Sequence, residues 1–396
     1  MQELSWGAIL VTLVGRFLPV WIALIVTFAL SIAFKRKLGL YGKLFDSMIG
    51  MIGFAIVMFW VFTAIFAPMI ANHDTLYQIG AMKNVPLGSP TPDAPGWYIL
   101  GGDNLGRDVF SRMVIGSGIV ILIAPLATLF AYMVGITLGL PAGYFGGKLD
   151  TGLSFLANLV LAFPVILLFY LLVTPQIAAT GLPQYLAMVL FILPLFFLIL
   201  LINSRYYVKP VTRNVVVGLI VVIGGYLYLA FVGEPVALDP NSRISILPAW
   251  ADLVHMPPNI LIVFVSVVFV NAPTVFRIVR GLTFDIKTRD YIAAAQTRGE
   301  RPWYIMLWEI LPNARGPLIV DFCLRIGYTT ILLGTLGFFG LGLSPESPDW
   351  GSTINAGRKL LTIAPHPAFV PALALMSLVL GLNLLADGLR EESLKD

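Results

Sequence analysis

Long apolar runs recur along this chain and constrain its fold more than any other feature. Each of nine runs is long enough, at about 1.5 Å of rise per residue, to cross a bilayer as a helix, some of them tilted. Charged residues make up only 12% of the 396 residues, about half the share in a soluble domain. We therefore predict an all-α polytopic membrane protein. Its predicted spans are 8–34, 46–70, 114–140, 153–174, 184–203, 214–233, 259–279, 316–341 and 367–387.

The positions of the Lys and Arg residues predict how these spans are oriented. If the N-terminus lies outside, seventeen of the 25 basic residues fall in inner segments and six in outer segments. The other two, Arg16 and Arg325, lie within spans. Basic residues are retained on the cytoplasmic side during membrane insertion. We therefore expect an external N-terminus and a cytoplasmic C-terminus.

Few residues in the chain could form disulfides or bind metal ions. A single cysteine, Cys323, excludes a disulfide framework and a multi-cysteine metal cluster, and the three histidines show no metal-ligand spacing. No metal site is therefore expected. The first apolar run follows Glu3 and contains Arg16, so we predict a retained helix rather than a cleaved signal. Asp321 and Arg325 are spaced to pair on one helix face.

The longest inner loop, 285–313, reads as two short helices. Asp290 is predicted to cap the first helix and Gly299 to stop it. Pro302 suits the first turn of the second helix, and Pro312 is predicted to close it. The loop is therefore expected to be a compact helix-turn-helix at the cytoplasmic surface.

The first of these two helices carries three small residues, Ala293, Ala294 and Ala295. Helical spacing places Tyr291, Ala294, Ala295 and Arg298 on one face. Such a helix can lie deep in a groove of another protein, with the tyrosine and the arginine as anchors. Alanines also suit any helix, so the spacing leaves a purely structural role open.

Three outer segments, 71–113, 234–258 and 342–366, are long enough to do more than connect spans. Residues 350–361 in the last could form a short helix on the membrane surface. Simple connection and docking of an outside partner remain the two alternatives for these segments. The candidate periplasmic contacts are Asp103, Gly106, Arg107 and Asp108.

Five separated stretches resemble permease subunits of binding-protein-dependent ABC importers. The family's loop pattern is Glu-Ala-Ala, three residues, Gly, nine residues, Ile, one residue, Leu-Pro. This chain has Ala293 in place of the Glu and Glu309 in place of the Ile, whereas Gly299, Leu311 and Pro312 fit. The other four stretches are similar to the dipeptide, oligopeptide and nickel branch, and they lie at 101–112, 143–150, 338–343 and 383–390.

The resemblance implies a type I ABC importer transmembrane domain, with a six-helix core and about three additional helices. Residues 1–45 would add one helix, and 46–175 would form the first part of the core. Residues 176–256 would insert a helix pair and an outer loop. The remaining part, 257–396, would complete the core and carry the loop 285–313, here called the docking loop.

The resemblance also implies a function and partners. The chain would form half of a path for peptides or related solutes in a bacterial inner membrane, without a nucleotide site of its own. Separate ATPase subunits would bind ATP and Mg²⁺ and grip residues 290–303, Trp303 included. A sister permease and a solute-binding protein would complete the complex in membrane lipid, without nucleic acid. Dipeptides, oligopeptides, nickel, modified peptides and opines all remain candidate substrates.

Two other classes of protein fit the residues less well. An ion-coupled secondary transporter would show an internal repeat and paired ionisable residues at the membrane midplane, and neither is found. An intramembrane enzyme would need a nucleophile with a base or a metal cluster. Residues 143–148 superficially resemble a phosphate-binding loop, but Leu149 stands where Ser or Thr must hold magnesium.

Overall fold

The computed structural model describes residues 3–92, 96–232, 257–341, 343 and 346–393, and helices dominate these residues. The α-helices are α1 Trp6–Arg16, α2 Leu18–Ala33, α3 Gly39–Lys43, α4 Met48–Ile65, α5 Ala67–Ile70, α6 Val109–Phe145, α7 Gly147–Leu161, α8 Val165–Val173, α9 Pro175–Ala178, α10 Leu182–Arg205, α11 Pro210–Val232, α12 Pro258–Ile286, α13 Asp290–Thr297, α14 Pro302–Tyr304, α15 Leu311–Asn313, α16 Arg315–Phe338, α17 Trp350–Arg358 and α18 His366–Ser393. Short 3₁₀ helices lie at Lys35–Lys37, Leu44–Asp46 and Gly80–Met82, and a π-helical segment lies at Ile305–Ile310. Strands β1 Ser89–Pro90 and β2 Trp97–Tyr98 pair antiparallel.

Within the described residues, seven single helices are long and apolar enough to cross a membrane. The number rises to nine if each of two bent helix pairs counts as one span. These pairs are α1 with α2, bent by 53°, and α7 with α8, bent by 82°. The predicted spans at 8–34 and 153–174 therefore each consist of two helices joined at a bend.

A proline accounts for each bend. Pro164 is extended (φ −57°, ψ 121°) and immediately precedes α8, and Pro19 lies in the first turn of α2. Proline removes a backbone donor, and its ring clashes with the carbonyl four residues earlier, so a helix cannot continue smoothly through it. The largest other difference from the predicted bounds is α6, which exceeds 114–140 at both ends.

The chain packs into two units, residues 1–125 with 319–396 and residues 126–318. In the first unit α4 packs closely against α18, and glycines allow the approach. A Cβ atom on Gly53 would lie 2.3 Å from the backbone nitrogen of Leu385. The N-terminal helices α1 and α2 belong to this unit, where the rings of Phe17 and Phe59 lie 5.1 Å apart. The four-part division predicted along the chain stays a prediction.

The first unit also contains α17. Its Asp349 caps the helix by accepting a hydrogen bond from the Ser352 backbone N–H at 2.9 Å. Trp350 is fully buried and its ring lies 4.9 Å from that of Trp60. The predicted helix at 350–361 is thus present but shorter, and one face packs against the protein. The predicted outer segment 234–258 lies almost wholly outside the described residues.

The second unit is built on the packing of α6 against α12. Gly135, Gly139 and Gly143 follow one face of α6, and a Cβ atom on any of them would come within 3.0 Å of α12 atoms. Small residues at four-residue spacing let two membrane helices approach closely. The helices α7, α8 and α10 also contact α12, and α10 pairs with α11.

Candidate functional site: the predicted docking loop

The N-cap of α13, the first helix of the docking loop, lies one residue earlier than predicted. Arg289 has the extended conformation of an N-cap residue (φ −76°, ψ 148°), and Asp290 is the first helical residue. The prediction that Asp290 caps the helix was therefore wrong. Its carboxylate still lies in the first turn, where negative charge interacts favourably with the exposed N–H groups.

The end of α13 is a Schellman turn centred on Gly299. The Gly299 N–H donates to the carbonyl of Gln296 at 2.9 Å, and the Glu300 N–H donates to that of Ala295 at 3.2 Å. Gly299 has φ +78°, and a Cβ atom there would meet nothing within 4 Å. The backbone conformation, rather than lack of space, therefore requires glycine, and the predicted stop at Gly299 is confirmed.

The two faces of α13 differ in exposure. Ile292 and Ala295 are completely buried, and α13 contacts the π-helical segment. Tyr291, Ala294 and Arg298 are exposed on the other side. The prediction that Ala295 belongs to the outward face was therefore wrong, because it anchors the helix to its own chain. Ala293 is also exposed and widens the outward face.

The second arm of the loop begins with Pro302 in the first turn of α14, as predicted. The helix widens into the π-helical segment and continues through α15, so Pro312 does not close it. The wider turn offers a physical reason, because it relieves the clash between the Pro312 ring and the carbonyl of Trp308. The arm includes half-buried Trp303 and Leu311, and α16 starts after only Ala314.

Side chains tie the two arms together and to α6. Arg298 forms an ion pair with Glu309 at 3.2 Å, across the arms. The Gln296 amide donates to the hydroxyl of Tyr144 at 3.2 Å, and the Lys287 ammonium donates to the carbonyl of Gly143 at 2.8 Å. Lysine at a helix C-terminus satisfies carbonyls that have no helical partner. The loop is thus held on the end of α6 rather than hanging free.

In the predicted outer segment 71–113, the four candidate contact residues Asp103, Gly106, Arg107 and Asp108 are all buried. Asp103 binds the Arg107 guanidinium at 2.6 Å and accepts two backbone N–H groups of the same loop. Asp108 accepts from N–H groups in the first turn of α6 and from the Ser111 hydroxyl. The structure gives these charges a role inside the loop, so any contact with an outside partner would involve the surface that they hold in place.

Burial also changes the ionisation of this outer loop. The Tyr98 hydroxyl donates to the carbonyl of Gly106 at 3.0 Å, and the ring is fully buried. Burial, followed by the nearby carboxylates of Asp108 and Asp103, raises the pKa of Tyr98 far above its usual value. The hydroxyl therefore stays protonated and keeps its hydrogen bond at physiological pH.

The charged pair predicted in a span is confirmed. Arg325 contacts both carboxylate oxygens of Asp321, at 3.0 and 3.1 Å, one helical turn apart on α16. Arg16 is exposed at the end of α1. Across the described ranges no group of three or more His, Cys, Asp or Glu side chains is placed to hold a metal ion.

The described residues contain membrane-length helices and an ordered two-armed loop on the side predicted to be cytoplasmic, as expected for an importer permease. Residues 135–391, more than half of the chain, match the family model of the binding-protein-dependent transport system inner membrane component. The chain belongs to this family. The predicted type I ABC importer transmembrane domain is thereby confirmed.

Individual relatives agree with the family assignment. A glutathione transport system permease protein of Pectobacterium atrosepticum is 29% identical over 300 residues, which cover 76% of this chain and 72% of the relative. A dipeptide transport system permease protein of Alkalihalophilus pseudofirmus is 24% identical, covering 89% and 87%. The corresponding protein of Haemophilus influenzae is 26% identical, covering 86% and 88%. The resemblance to the dipeptide and oligopeptide branch is confirmed.

Family membership decides between the classes of function left open by the sequence. The chain is a membrane-embedded permease subunit of an ABC importer, not an ion-coupled transporter or an intramembrane enzyme. In such importers the ATPase activity lies in partner subunits, and a solute-binding protein delivers the cargo. The structural features of the docking loop therefore belong to a protein that must respond to ATP hydrolysed elsewhere.

Proposed function

We propose that residues 290–303 are the surface gripped by the ATPase subunits, with Tyr291, Ala294 and Arg298 in direct contact. The observation that carries this proposal is the division of α13 into a buried face and an outward face of low bulk. A short helix of this kind fits a groove, and the exposed tyrosine and arginine can anchor it.

The connection to α16 supports a mechanical role for this surface. The second arm passes into α16 through one residue, Ala314, and the arms are joined by Arg298 and Glu309. A push on α13 would therefore move the arm and the start of α16 together. Nucleotide-driven closure of the ATPases would in this way change which side of the membrane the path faces.

The chain itself is proposed to bind no nucleotide and no other cofactor. Residues 143–148 run from the end of α6 into α7 rather than forming a phosphate-binding loop. A Cβ atom on Gly143 would lie 2.6 Å from Thr283, and its carbonyl is bound by Lys287. ATP and Mg²⁺ would accordingly bind only to the partner ATPases.

The proposed cargo is a short peptide or a peptide-like solute. Relatives are named for dipeptide and for glutathione, which is itself a tripeptide. A sister permease is proposed as the other half of the path, in a heterodimer. The distribution of basic residues supports a periplasmic N-terminus and a cytoplasmic C-terminus in a bacterial inner membrane.

Site-directed labelling tests the proposed ATPase contact. Cys323 is the only cysteine, so its replacement by Ala gives a background for single-cysteine variants. Maleimide should label Ala294→Cys in the purified permease but not after the ATPases have assembled with it. Lys148→Cys, exposed in the first turn of α7, serves as the control and should be labelled in both. Equal labelling of Ala294→Cys with and without ATPases would contradict the proposal.

A further inference from the structure

The helix pair α10 and α11 meets the docking loop at its inner end, between residues that are far apart in sequence. The guanidinium of Arg301 lies over the ring of Tyr207, 3.8 Å from its centre. The same guanidinium donates a hydrogen bond to the Tyr207 hydroxyl. A cation over an aromatic face and a hydrogen bond to the same side chain fix both the distance and the orientation of the pair.

A second contact of the same kind lies one turn further into α10. The Trp308 indole N–H donates to the Ser204 hydroxyl at 3.0 Å. The guanidinium of Arg205 lies 4.6 Å from the centre of the Trp308 ring. Trp308 belongs to the π-helical segment, so the inserted pair holds the second arm at two separate points.

Between these contacts lies a cavity of about 320 Å³, which Trp303 and Tyr304 also line. The arm and the inserted pair are therefore joined by specific side-chain contacts more than by continuous packing. Neither Arg205 nor Arg301 forms an ion pair with any residue that the structure describes. Arg205 instead contacts the Trp308 ring, and Arg301 contacts both the ring and the hydroxyl of Tyr207.

The inserted pair is also fixed within the membrane part of the second unit. Phe191 of α10 forms an aromatic cluster with Phe130 of α6 and Phe264 of α12, with ring centres 5.3 to 5.7 Å apart. The hydroxyl of Tyr228 on α11 donates to the carbonyl of Met188 on α10 at 2.9 Å. The pair therefore has one attachment among the spans and another on the docking loop.

We propose that the inserted helix pair is a brace for the docking loop, with Tyr207 and Ser204 as positioning residues that act through Arg301 and Trp308. The brace keeps the second arm in register with α6 and α12, so that movement of α13 is passed to the spans instead of being absorbed by the arm. This inference rests on the proposal that residues 290–303 contact the ATPases.

The test uses the complete importer in proteoliposomes and measures solute imported per ATP hydrolysed. Tyr207→Ala should lower this ratio by about three- to tenfold, since it removes a cation–π contact and a hydrogen bond. Tyr207→Phe keeps the ring and should recover most of the ratio. Val208→Ala alters an exposed side chain of the same turn and should leave the ratio unchanged. The KM for ATP should be unaffected in all three.

A double variant shows whether Tyr207 acts through its partner. Tyr207→Ala with Arg301→Ala should lower the ratio no further than the more damaging single change, because both remove one contact. Additive losses would contradict the brace. A loss of assembled complex, with transport and hydrolysis falling in parallel at a constant ratio, would also contradict it, because Tyr207 would then serve only folding.

A variant of the docking turn separates failure of the brace from failure of the docking proposal. If Gly299→Val uncouples transport and Tyr207→Ala does not, the brace is wrong and the docking surface stands. If neither variant changes the ratio, the docking proposal is wrong and the brace falls with it. A reduced ratio in both supports the brace.

Discussion

Gly299 offers the sharpest test of the docking loop, because the structure separates conformation from space at this position. Its φ of +78° is unfavourable for residues with a Cβ atom, yet an added Cβ would touch nothing within 4 Å. Within this chain, any effect of a substitution must therefore come from backbone strain. An L-residue in this conformation costs about 1–2 kcal/mol, and a β-branched residue costs more.

This cost predicts a graded series. A penalty of about 1–2 kcal/mol changes the ratio of the closed turn to alternative conformations by roughly 5- to 30-fold. Gly299→Val should therefore hydrolyse ATP with little import, Gly299→Ala should be intermediate, and Gly299→Asn should stay near the native protein. Asparagine is tolerated in the left-handed region more readily than other residues with a Cβ atom.

The assay is import and ATP hydrolysis measured on the same proteoliposomes. Gly281→Ala is the matched control, because Gly281 lies in α12 with open space around it and no positive φ. An added methyl group should be harmless there, since alanine makes a helix more stable than glycine does, by about 1 kcal/mol. The reasoning fails if Gly299→Val imports normally, or if Gly299→Asn is as damaging as Gly299→Val.

Three further predictions concern stability and contact. Gly53→Ala should lower the melting temperature of the purified permease, because the new Cβ atom would lie 2.3 Å from a backbone atom. Such overpacking costs about 1–3 kcal/mol. Gly7→Ala is the control and should not lower the melting temperature, because Gly7 has open space around it. Burial raises the pKa of the Asp349 carboxyl in the folded protein, despite the nearby Arg112. The stabilisation that protonated Asp349 gives is therefore complete below the pKa of this residue in the unfolded chain, and it is lost as the pH rises through the raised pKa of the folded protein. Asparagine at position 349 can still cap α17 but does not titrate. The melting temperature of Asp349→Asn should therefore rise relative to that of the native protein as the pH is raised from acidic to neutral, and a difference in melting temperature that does not change with pH would contradict this. Arg298→Ala should leave the melting temperature almost unchanged, since an exposed ion pair contributes about 0–1 kcal/mol, but it should weaken ATPase binding measured on the purified subunits.

The sequence predicted those features of the loop that depend on local backbone chemistry. The positive φ at Gly299 and the first-turn position of Pro302 follow from the conformations that these residues favour, and both are present. Burial of Ala295 could not be read from spacing, because helical periodicity shows which residues share a face but not which face meets the rest of the chain. The continuation of the arm past Pro312 needed a π-helical segment, for which the sequence contains no specific signal.

Long-range contacts were out of reach for a related reason. Tyr207 and Arg301 are 94 residues apart, and nothing in the sequence around either residue indicates that the two are in contact. The charges at 103–108 were predicted as contact residues because a cluster of charged residues in a connecting segment usually faces water, and their burial could not be read from the sequence. Here they hold the loop to the start of α6, and only the packing around them reveals this role.

The contact between Tyr207 and Arg301 also bears on the membrane topology, independently of the distribution of charge. Both residues lie in segments predicted to be cytoplasmic, and a direct contact requires them to be on the same side of the membrane. An even number of crossings must therefore separate them, which is satisfied if α11 and α12 each cross once. If only one of these helices crossed, Tyr207 and Arg301 would lie on opposite sides. The contact proposed as the brace thus supports α11 and α12 as a pair of crossings, with the ends that carry Tyr207 and Arg301 on one side of the membrane.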